Sequence, residues 1–299
     1  MLTTKTTTLT TSTTPDTIVL IHGMWMTPKS WRGWIRHYEQ KGFRVLAPSW
    51  PGLEGDVEAL RKDSSVLGAL TTKEIVDHYD AIIRALPTPP ILIGHSYGGA
   101  IVQALLERGL GAAGVGLHTA LVKGVYKIPL RTLKSTWRIV GNPLNARRPA
   151  PFTKKEFHYS FASTETREES DRIYDELHIP AAGRAFFEGI TANFRPRSAL
   201  KVNPLKHDRA PLLIVGSDDD NLLPLAMQTS NAKLYRKSRA ITELLEMPGR
   251  SHGTVTQRGW EQVADTVLAW ALEHTTVVEK TLVTPPLAMP VAARTIALA

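Results

Sequence analysis

The chain has 299 residues, of which 42% are hydrophobic and 21% are charged, a composition typical of one large globular domain or of one domain with an insertion. It contains no cysteine, so disulfides, cysteine-ligated metal sites and thiol nucleophiles are excluded. The formal net charge is +8. Its basic residues are scattered, so the excess is interpreted as a solvated basic face, and we expect no nucleic-acid partner. No segment approaches the ~20 apolar residues of a membrane span, and the first residues lack the apolar run of a secretory signal, so a cytoplasmic location is expected.

Strand-like and helix-like patterns alternate along most of the chain. Residues 1–16 are rich in threonine and are expected to form a mobile tail, and the proline-containing segment 277–299 is expected to form a second tail. Short apolar runs predict strands at residues 17–21, 43–47, 91–93, 211–215 and 241–247, and continuous apolar strands of this kind indicate a sheet covered on both faces. Helical patterns occupy residues 28–40, 98–107 and 259–273, and a further helix is predicted to begin at a capping box formed by Thr71 and Glu74. This alternation predicts an α/β fold with a doubly wound, mostly parallel sheet.

One long segment interrupts the alternation. Residues 127–209 are dense in proline and glycine and contain six of the seven phenylalanines, which predicts an inserted helical cap. The α/β core is then formed by residues 17–126 and 210–276. The glycine-rich stretch 111–116 has the spacing G-x-x-G-x-G, which differs from the dinucleotide fingerprint, and it is interpreted as a loop that leads into the next strand.

The clearest chemical motif is Gly-His-Ser-Tyr-Gly at residues 94–98. It follows a predicted strand and precedes a predicted helix, which is the position that a nucleophilic serine on a sharp strand-to-helix turn requires. The small residues around Ser96 leave room for a strained turn. We therefore predict Ser96 as the nucleophile.

A second motif, His-Gly-Met-Trp, follows the first predicted strand at residues 22–25. Acyl transfer needs two N–H donors aimed at the developing oxyanion. The donors predicted here are the backbone amides of Met24 and of Tyr97, the residue after the nucleophile. His22 is interpreted as a structural histidine of this loop.

Two later loops supply an acid and a base. Three consecutive aspartates follow the predicted strand 211–215, and His252 lies on a glycine-flanked loop after the strand 241–247. His252 is predicted as the general base, with a carboxylate that orients it. The motif alone does not say which of the three aspartates supplies that carboxylate. The aspartates lack the alternate spacing of a calcium loop, so no metal is expected.

With these motifs in order, the chain resembles the α/β-hydrolase superfamily from about residue 17 to residue 274, and most closely its small, capped, esterase-like members. The segments that carry the resemblance are 22–28, 47–52 and 94–99. It implies the fold, the roles of the three catalytic residues and independence from cofactors, but no particular substrate. A serine at position 96 disfavours the dehalogenases and epoxide hydrolases, which use aspartate there. Some relatives carry the acid after an earlier strand; the corresponding residues 118–121 contain no acid. Two spacings common in the family disagree about the acid: the distance from Gly216 implies Asp219, whereas the distance back from Pro224 implies Asp220, which we prefer.

The predicted activity is hydrolysis of an ester, thioester or lactone bond, or of an amide, in a small apolar or aromatic substrate. Trp25, Phe186 and Phe187 are predicted to contact that substrate, although the cap phenylalanines could equally form the core of the cap. Lyase, haloperoxidase-like and carbon–carbon hydrolase chemistry on the same three residues remain alternatives, as does a ligand-binding receptor. The partner expected is a small molecule, and the oligomeric state is left open.

Overall fold

The computed structural model describes residues 9–275 and 278–282, which form two units. The larger unit spans Pro15–Thr276 and contains a six-stranded sheet in the order β3-β2-β4-β5-β6-β7, in which every neighbouring pair is parallel. Its strands are β2 (Thr17–Ile21), β3 (Arg44–Leu46), β4 (Ile91–His95), β5 (Ala113–Leu117), β6 (Leu212–Gly216) and β7 (Thr242–Glu246). The predicted doubly wound parallel sheet is therefore confirmed.

Among the residues that the structure describes, ten helices lie between strands of this sheet in the chain, and an eleventh follows its last strand. They are α1 (Arg32–Glu39), α2 (Val57–Lys62), α3 (Ser65–Ala69), α4 (Thr72–Arg84), α5 (Tyr97–Glu107), α6 (Leu130–Val140), α7 (Lys154–Phe161), α8 (Arg167–Leu177), α9 (Gly183–Ile190), α10 (Leu225–Leu234) and α11 (Trp260–His274), with 3₁₀ turns at Pro28–Trp31, Pro143–Arg147 and Ala192–Phe194. The capping box predicted at Thr71 and Glu74 begins α4. Within the described ranges, no helix combines the length and apolar character that a membrane span requires.

Both faces of the sheet are buried. Successive side chains of a strand point to opposite sides, and both sets pack against helices. Ile18 and Leu20 of β2 join one apolar core with the tryptophans of the first helical segment and with α11. Val19 and Ile21 of the same strand join a second core with α4 and α5. The continuous apolar pattern of the central strands is the consequence of this double burial.

Two expectations about strands are wrong in detail. The glycine-rich stretch at 111–116 is mostly strand β5 rather than a loop: a Cβ on Gly114 would lie 2.7 Å from Leu106 Cδ1, so the missing side chain lets α5 pack against the strand. The last strand, β7, is a half-exposed edge strand with Glu243 and Leu244 in solvent, rather than one covered on both faces.

Helices α6–α9 all lie between β5 and β6, inside the segment 127–209 predicted as an inserted cap, and we keep the name cap for those residues. The smaller unit, Met1–Thr14 with Val277–Ala299, corresponds to the two predicted tails. Its described part is an antiparallel pair of strands, β1 (Leu9–Thr13) and β8 (Val278–Leu282), which the expectation of two tails did not include. Residues 1–8, 276–277 and 283–299 lie outside the described residues.

Candidate active site

Ser96 occupies the sharp turn between β4 and α5, with backbone angles φ 56° and ψ −119°. A Cβ on Gly94 would lie 2.2 Å from the Gly98 carbonyl oxygen, and one on Gly98 would lie 2.1 Å from the Ile21 carbonyl oxygen. No residue with a side chain fits at either position. The spacing G-x-S-x-G is therefore required by the steric limits of this turn, which points the Ser96 hydroxyl out of the sheet.

The loop after β2 lies directly beside Ser96. Strands β2 and β4 are neighbours in the sheet, and the chain order reverses between them, so their carboxyl ends open into one crevice. A Cβ on Gly23 would lie 2.7 Å from Ser96 Cβ, which shows how closely this loop approaches the serine. Met24 and Tyr97 both line the cavity that Ser96 enters. As the first residue of α5, Tyr97 has an N–H that no carbonyl within the helix can accept.

His252 and Asp220 complete a hydrogen-bonded series with Ser96. His252 Nε2 lies 3.0 Å from Ser96 Oγ, and His252 Nδ1 lies 2.8 Å from Asp220 Oδ2. The other carboxylate oxygen of Asp220 accepts the N–H groups of Leu222 at 2.7 Å and Leu223 at 2.8 Å. Asp220 and His252 are fully buried, and Ser96 is nearly so. In this geometry the His252 Nδ1–H donates to the carboxylate, which leaves Nε2 free to accept a proton from the serine.

The three consecutive aspartates point in different directions. Asp219 is exposed and accepts the Gly249 N–H at 2.8 Å, and Asp218 is exposed and pairs with Arg131. Only Asp220 contacts His252 among these three. The geometry thus agrees with the spacing from Pro224 and not with the spacing from Gly216.

A second histidine, which the sequence did not single out, shares the same carboxylate. His118 directly follows β5 in a left-handed conformation (φ 46°), and its Nδ1 lies 2.8 Å from Asp220 Oδ2. Its ring is fully buried, and its Nε2 has no partner among the described residues. The segment 118–121 contains no acid, but it provides a second hydrogen-bond donor to the acid.

Opposing effects set the ionisation of Asp220. Burial by itself would raise the pKa of this carboxyl, but the charge of His252 and the hydrogen bonds from His118 and His252 outweigh burial and hold the pKa well below its usual range. Burial lowers the pKa of His118, although Asp220 opposes that shift. The site is therefore an ionised carboxylate that receives two imidazole N–H groups.

In the described part of the chain, one group of side chains has the residue types and spacing that could bind a metal ion: His118, Asp220 and His252. Their potential ligand atoms all lie within 4.8 Å of one another. The nitrogen–oxygen separations are 2.8 Å in both pairs. Two atoms bound to one tetrahedral zinc ion at about 2.0 Å would lie roughly 3.3 Å apart. Direct hydrogen bonds describe this cluster better than a metal ion between its members.

Two other histidines near the site are structural. His22 Nδ1 lies 2.9 Å from the Gly23 carbonyl oxygen and its Nε2 accepts the Trp50 N–H, so both ring nitrogens are occupied, as its structural interpretation expected. Burial lowers the pKa of His22 to about 4. His95 Nε2 lies 2.7 Å from the His252 carbonyl oxygen, and burial followed by the charge of His252 lowers the pKa of His95 well below its ordinary value. His95 thus holds the loop that carries the base.

The Ser96 hydroxyl faces an apolar cavity of about 290 Å³. Among its described lining residues none is charged, and its amide and threonine side chains are hydrogen-bonded within the protein: Asn193 to Gly124 and Val125, Thr132 to Met227, and Thr136 to the Thr132 carbonyl. The lining therefore presents apolar surface everywhere except beside Ser96 and the adjacent amides. Such a cavity selects an uncharged, apolar group.

Of the three residues predicted to contact substrate, two line this cavity and one does not. Trp25 lines it and also joins the cap to the core, because its Nε1–H donates to the Ala150 carbonyl oxygen at 2.8 Å and its ring stacks on Phe152 at 4.5 Å. Phe186 lines the cavity as well. Phe187 contributes instead to a separate surface cleft beside Arg184.

Most of the other cap phenylalanines form packing contacts. Phe157 and Phe161 are fully buried and stack on each other at 5.0 Å. Phe161 also meets the His252 ring edge-on at 4.6 Å, and its carbonyl accepts the Gly253 N–H at 2.7 Å. Phe194, by contrast, is 84% exposed. Among the described cap phenylalanines, Phe157 and Phe161 thus pack in a small core, and Phe186 lines the cavity. Each of the two interpretations, substrate contact and packing of the cap, fits some of these rings.

Comparisons with solved structures identify the same fold at low identity. They include a methylesterase from Arabidopsis (16% identity, 85% of this chain and 98% of that chain, TM-score 0.59), a pyrethroid hydrolase from Sphingobium faniae (20%, 86% and 98%, TM-score 0.60) and a monoacylglycerol lipase from Paleococcus ferrophilus (18%, 91% and 100%, TM-score 0.59). A search of curated protein sequences finds no match. The sequence model of the alpha/beta hydrolase family matches residues 18–266. That match spans the sheet, the cap and all the site residues described above, and the chain therefore belongs to the alpha/beta hydrolase family.

Proposed function

We propose that this protein is a serine esterase that hydrolyses an uncharged, apolar carboxylic ester through an acyl-enzyme; a thioester, a lactone or an amide would react by the same steps. The observation that carries the proposal is the hydrogen-bonded series Ser96–His252–Asp220, with separations of 3.0 and 2.8 Å, which ends in an apolar cavity. The coarser assignment, a hydrolase of this fold family, agrees with the esterase and lipase folds among its structural neighbours.

In this mechanism His252 Nε2 takes the proton of Ser96 Oγ as the oxygen attacks the ester carbonyl. The backbone N–H groups of Met24 and Tyr97 stabilise the tetrahedral oxyanion. His252 then donates its proton to the departing alcohol, which leaves the acyl group on Ser96. A water molecule, deprotonated by His252, releases the acid and restores the serine. Asp220 holds the Nδ1–H of His252 and stabilises the imidazolium in both halves of the reaction.

His118 acts in this mechanism as a positioning residue. Its Nδ1–H donates to the same oxygen of Asp220 that His252 uses, so it fixes the carboxylate and helps to keep it ionised inside the core. It does not reach Ser96 or the cavity, because Asp220 and the His252 ring separate it from them. The contribution of His118 is therefore exerted through Asp220.

The cavity supports a substrate with an apolar portion of medium size. Its volume of about 290 Å³ is near the lower limit of ligand pockets, which range over roughly 300–1,000 Å³. The absence of charged side chains among the described lining residues disfavours substrates that carry a carboxylate, phosphate or ammonium group next to the ester. Neutral esters of medium-length acyl chains are the class that fits best.

The test uses a fluorophosphonate probe and a series of neutral p-nitrophenyl esters. We expect the wild-type protein to be labelled at Ser96 and to hydrolyse medium-length acyl esters faster than the acetate ester. The Ser96→Ala variant should not be labelled and should retain its melting temperature. Equal hydrolysis by wild type and Ser96→Ala would refute the serine mechanism, and an unlabelled, inactive wild-type protein would favour the receptor alternative.

A further inference from the structure

The outer surface of the cap, together with Tyr126 just before it, carries large apolar side chains in solvent. Leu130 is 82% exposed, Trp137 69% and Phe194 84%. We name the whole group the apolar rim; its members are Tyr126, Ile128, Leu130, Leu133, Trp137, Ile190 and Phe194, each exposed by 42% or more. A monomeric soluble protein exposes single apolar residues routinely, but several large ones on adjoining segments indicate an interaction surface.

Helix α6 orders part of this rim. Its buried face carries threonine, serine and isoleucine, whereas Leu130, Leu133 and Trp137 follow one another at helical spacing on the outer face. The usual arrangement, in which large apolar residues face inward, is partly reversed in this helix. The outer face of α6 is thus suited to an apolar environment that the chain itself does not provide within its described residues.

Part of the rim borders the cavity. Three members of the rim line the cavity and are also exposed to solvent. They are Ile128 and Leu133 from one segment and Ile190 from another. The two segments meet where the Asn193 side chain accepts the Gly124 N–H at 2.7 Å and donates to the Val125 carbonyl at 2.7 Å. An apolar molecule that reached the rim could therefore enter the cavity without passing through water.

Basic residues accompany the rim. Between Glu107 and Glu156 the sequence has ten lysines and arginines and no acidic residue. Among the described residues, four of these ten form ion pairs, namely Arg108, Arg131, Arg138 and Lys154. Lys127 and Lys134 belong to the six that do not, and both lie within the segment that carries the rim. The surface combines apolar anchors with uncompensated positive charge.

We propose that the apolar rim docks on an anionic lipid surface, from which the cavity receives its apolar ligand. Apolar side chains enter the boundary between headgroups and acyl chains, and lysines attract the anionic headgroups; the two effects together give reversible adsorption. A second copy of the chain fits less well, because a symmetric interface would place this basic segment against itself. This proposal concerns binding, and it stands or falls independently of the esterase activity.

The test measures binding of the full chain to vesicles by co-flotation, with vesicles of phosphatidylcholine alone and of phosphatidylcholine mixed with phosphatidylglycerol. We expect binding to the mixed vesicles that weakens as salt is added. The variant Leu130→Ser/Trp137→Ser should reduce binding by about tenfold or more, and Lys127→Glu/Lys134→Glu should abolish the preference for anionic lipid. The matched control is Leu205→Ser, which removes a half-exposed leucine from the loop that leads into β6 and should bind like wild type.

The altered side chains are exposed, so the variants should fold, and melting temperatures verify this. Failure of the wild-type protein to bind the mixed vesicles would overturn the proposal, as would wild-type binding by Leu130→Ser/Trp137→Ser. Analytical ultracentrifugation provides a further check. If wild type is a dimer that does not bind vesicles, and the double variant is a monomer, the rim is an interface between two copies instead.

Discussion

The two walls of the candidate site are built in different ways. On the core wall, Ser96, His252 and Asp220 are joined by direct hydrogen bonds of 2.8–3.0 Å, and glycines fix the turn that carries the serine. On the cap wall, Phe186 and the other lining residues make only apolar contacts with the space that a substrate would fill. The core wall therefore specifies a reaction, whereas the cap wall specifies a shape.

This difference predicts how substitutions behave on each side. A hydrogen-bonded series loses its function when one member is removed, because each member fixes the next. An apolar wall tolerates changes and alters which substrates are preferred. Substitutions on the core wall should thus reduce turnover for all substrates, and substitutions on the cap wall should redistribute activity among them.

The largest effect is expected from Asp220→Asn, with Asp219→Asn as its matched control. Loss of the carboxylate that orients His252 should reduce kcat by about 10⁴-fold, whereas Asp219 is exposed and its loss should change kcat little. Steady-state kinetics with one neutral ester measure both, and melting temperatures check the folds. A mild effect of Asp220→Asn on kcat would mean that the hydrogen bond between Asp220 and His252 does not contribute to catalysis.

Acid should destabilise the protein through histidines that folding keeps neutral. Burial lowers the pKa of His22 to about 4 and of His178 to about 3, and it also lowers the pKa values of His95 and His118. As pH falls below about 6.5, the unfolded chain takes up protons that the folded chain excludes. The free energy of unfolding should therefore decrease by about 1.4 kcal/mol per pH unit for each such histidine, until its folded pKa is reached.

Chemical denaturation between pH 7 and pH 4 measures this dependence. His178 lies in the cap, and its replacement removes one of these neutral histidines, so a His178→Gln variant should show a slope smaller by about one proton. Asp220 acts in the same direction at lower pH: its lowered folded pKa means that its stabilisation is lost as pH falls below about 3.9. A stability that stays constant from pH 7 to pH 5 would contradict the neutral state of the histidines.

Removing the second donor to Asp220 should have an intermediate effect. His118→Ala should lower kcat by about ten- to a hundredfold, the value of one hydrogen bond to a charged group, and leave KM nearly unchanged. His118→Asn should restore part of the activity, because asparagine can donate to the carboxylate and tolerates the positive φ at this position. If Ala and Asn lower kcat equally while both melt like wild type, His118 does not act through its hydrogen bond.

The smallest effect on total activity is expected on the cap wall. Phe186→Ala should change the ratio of kcat/KM between medium-length and short acyl esters by about tenfold, while labelling of Ser96 by a small probe continues. Phe187→Ala is the matched control, since this ring does not line the cavity. Equal effects of the two substitutions on selectivity would show that the cavity is not the substrate site.

The sequence predicts the core wall better than the cap wall for a physical reason. The turn at Ser96 depends on neighbouring glycines, so its signal is local and readable. The contact between His118 and Asp220 joins residues 102 positions apart, so no local sequence pattern predicts it. Phe186 and Phe187 are adjacent in sequence yet face different cavities, which only the packing of α9 decides. The glycines of β5 indicate a loop for a related reason: the space that Gly114 leaves is filled by α5, and a local pattern does not contain that contact.

The backbone at Ser96 has a consequence for the stability of the whole protein. Its positive φ is a conformation that residues with side chains rarely adopt, and holding it costs on the order of 1–3 kcal/mol. Globular proteins are stable by only about 5–15 kcal/mol, so aiming one hydroxyl uses a measurable part of the folding free energy. Glycine at position 96 would relieve this strain. Laboratory evolution of the chain for thermal resistance alone would therefore favour loss of the nucleophile, and stabilised variants need to be selected for turnover as well.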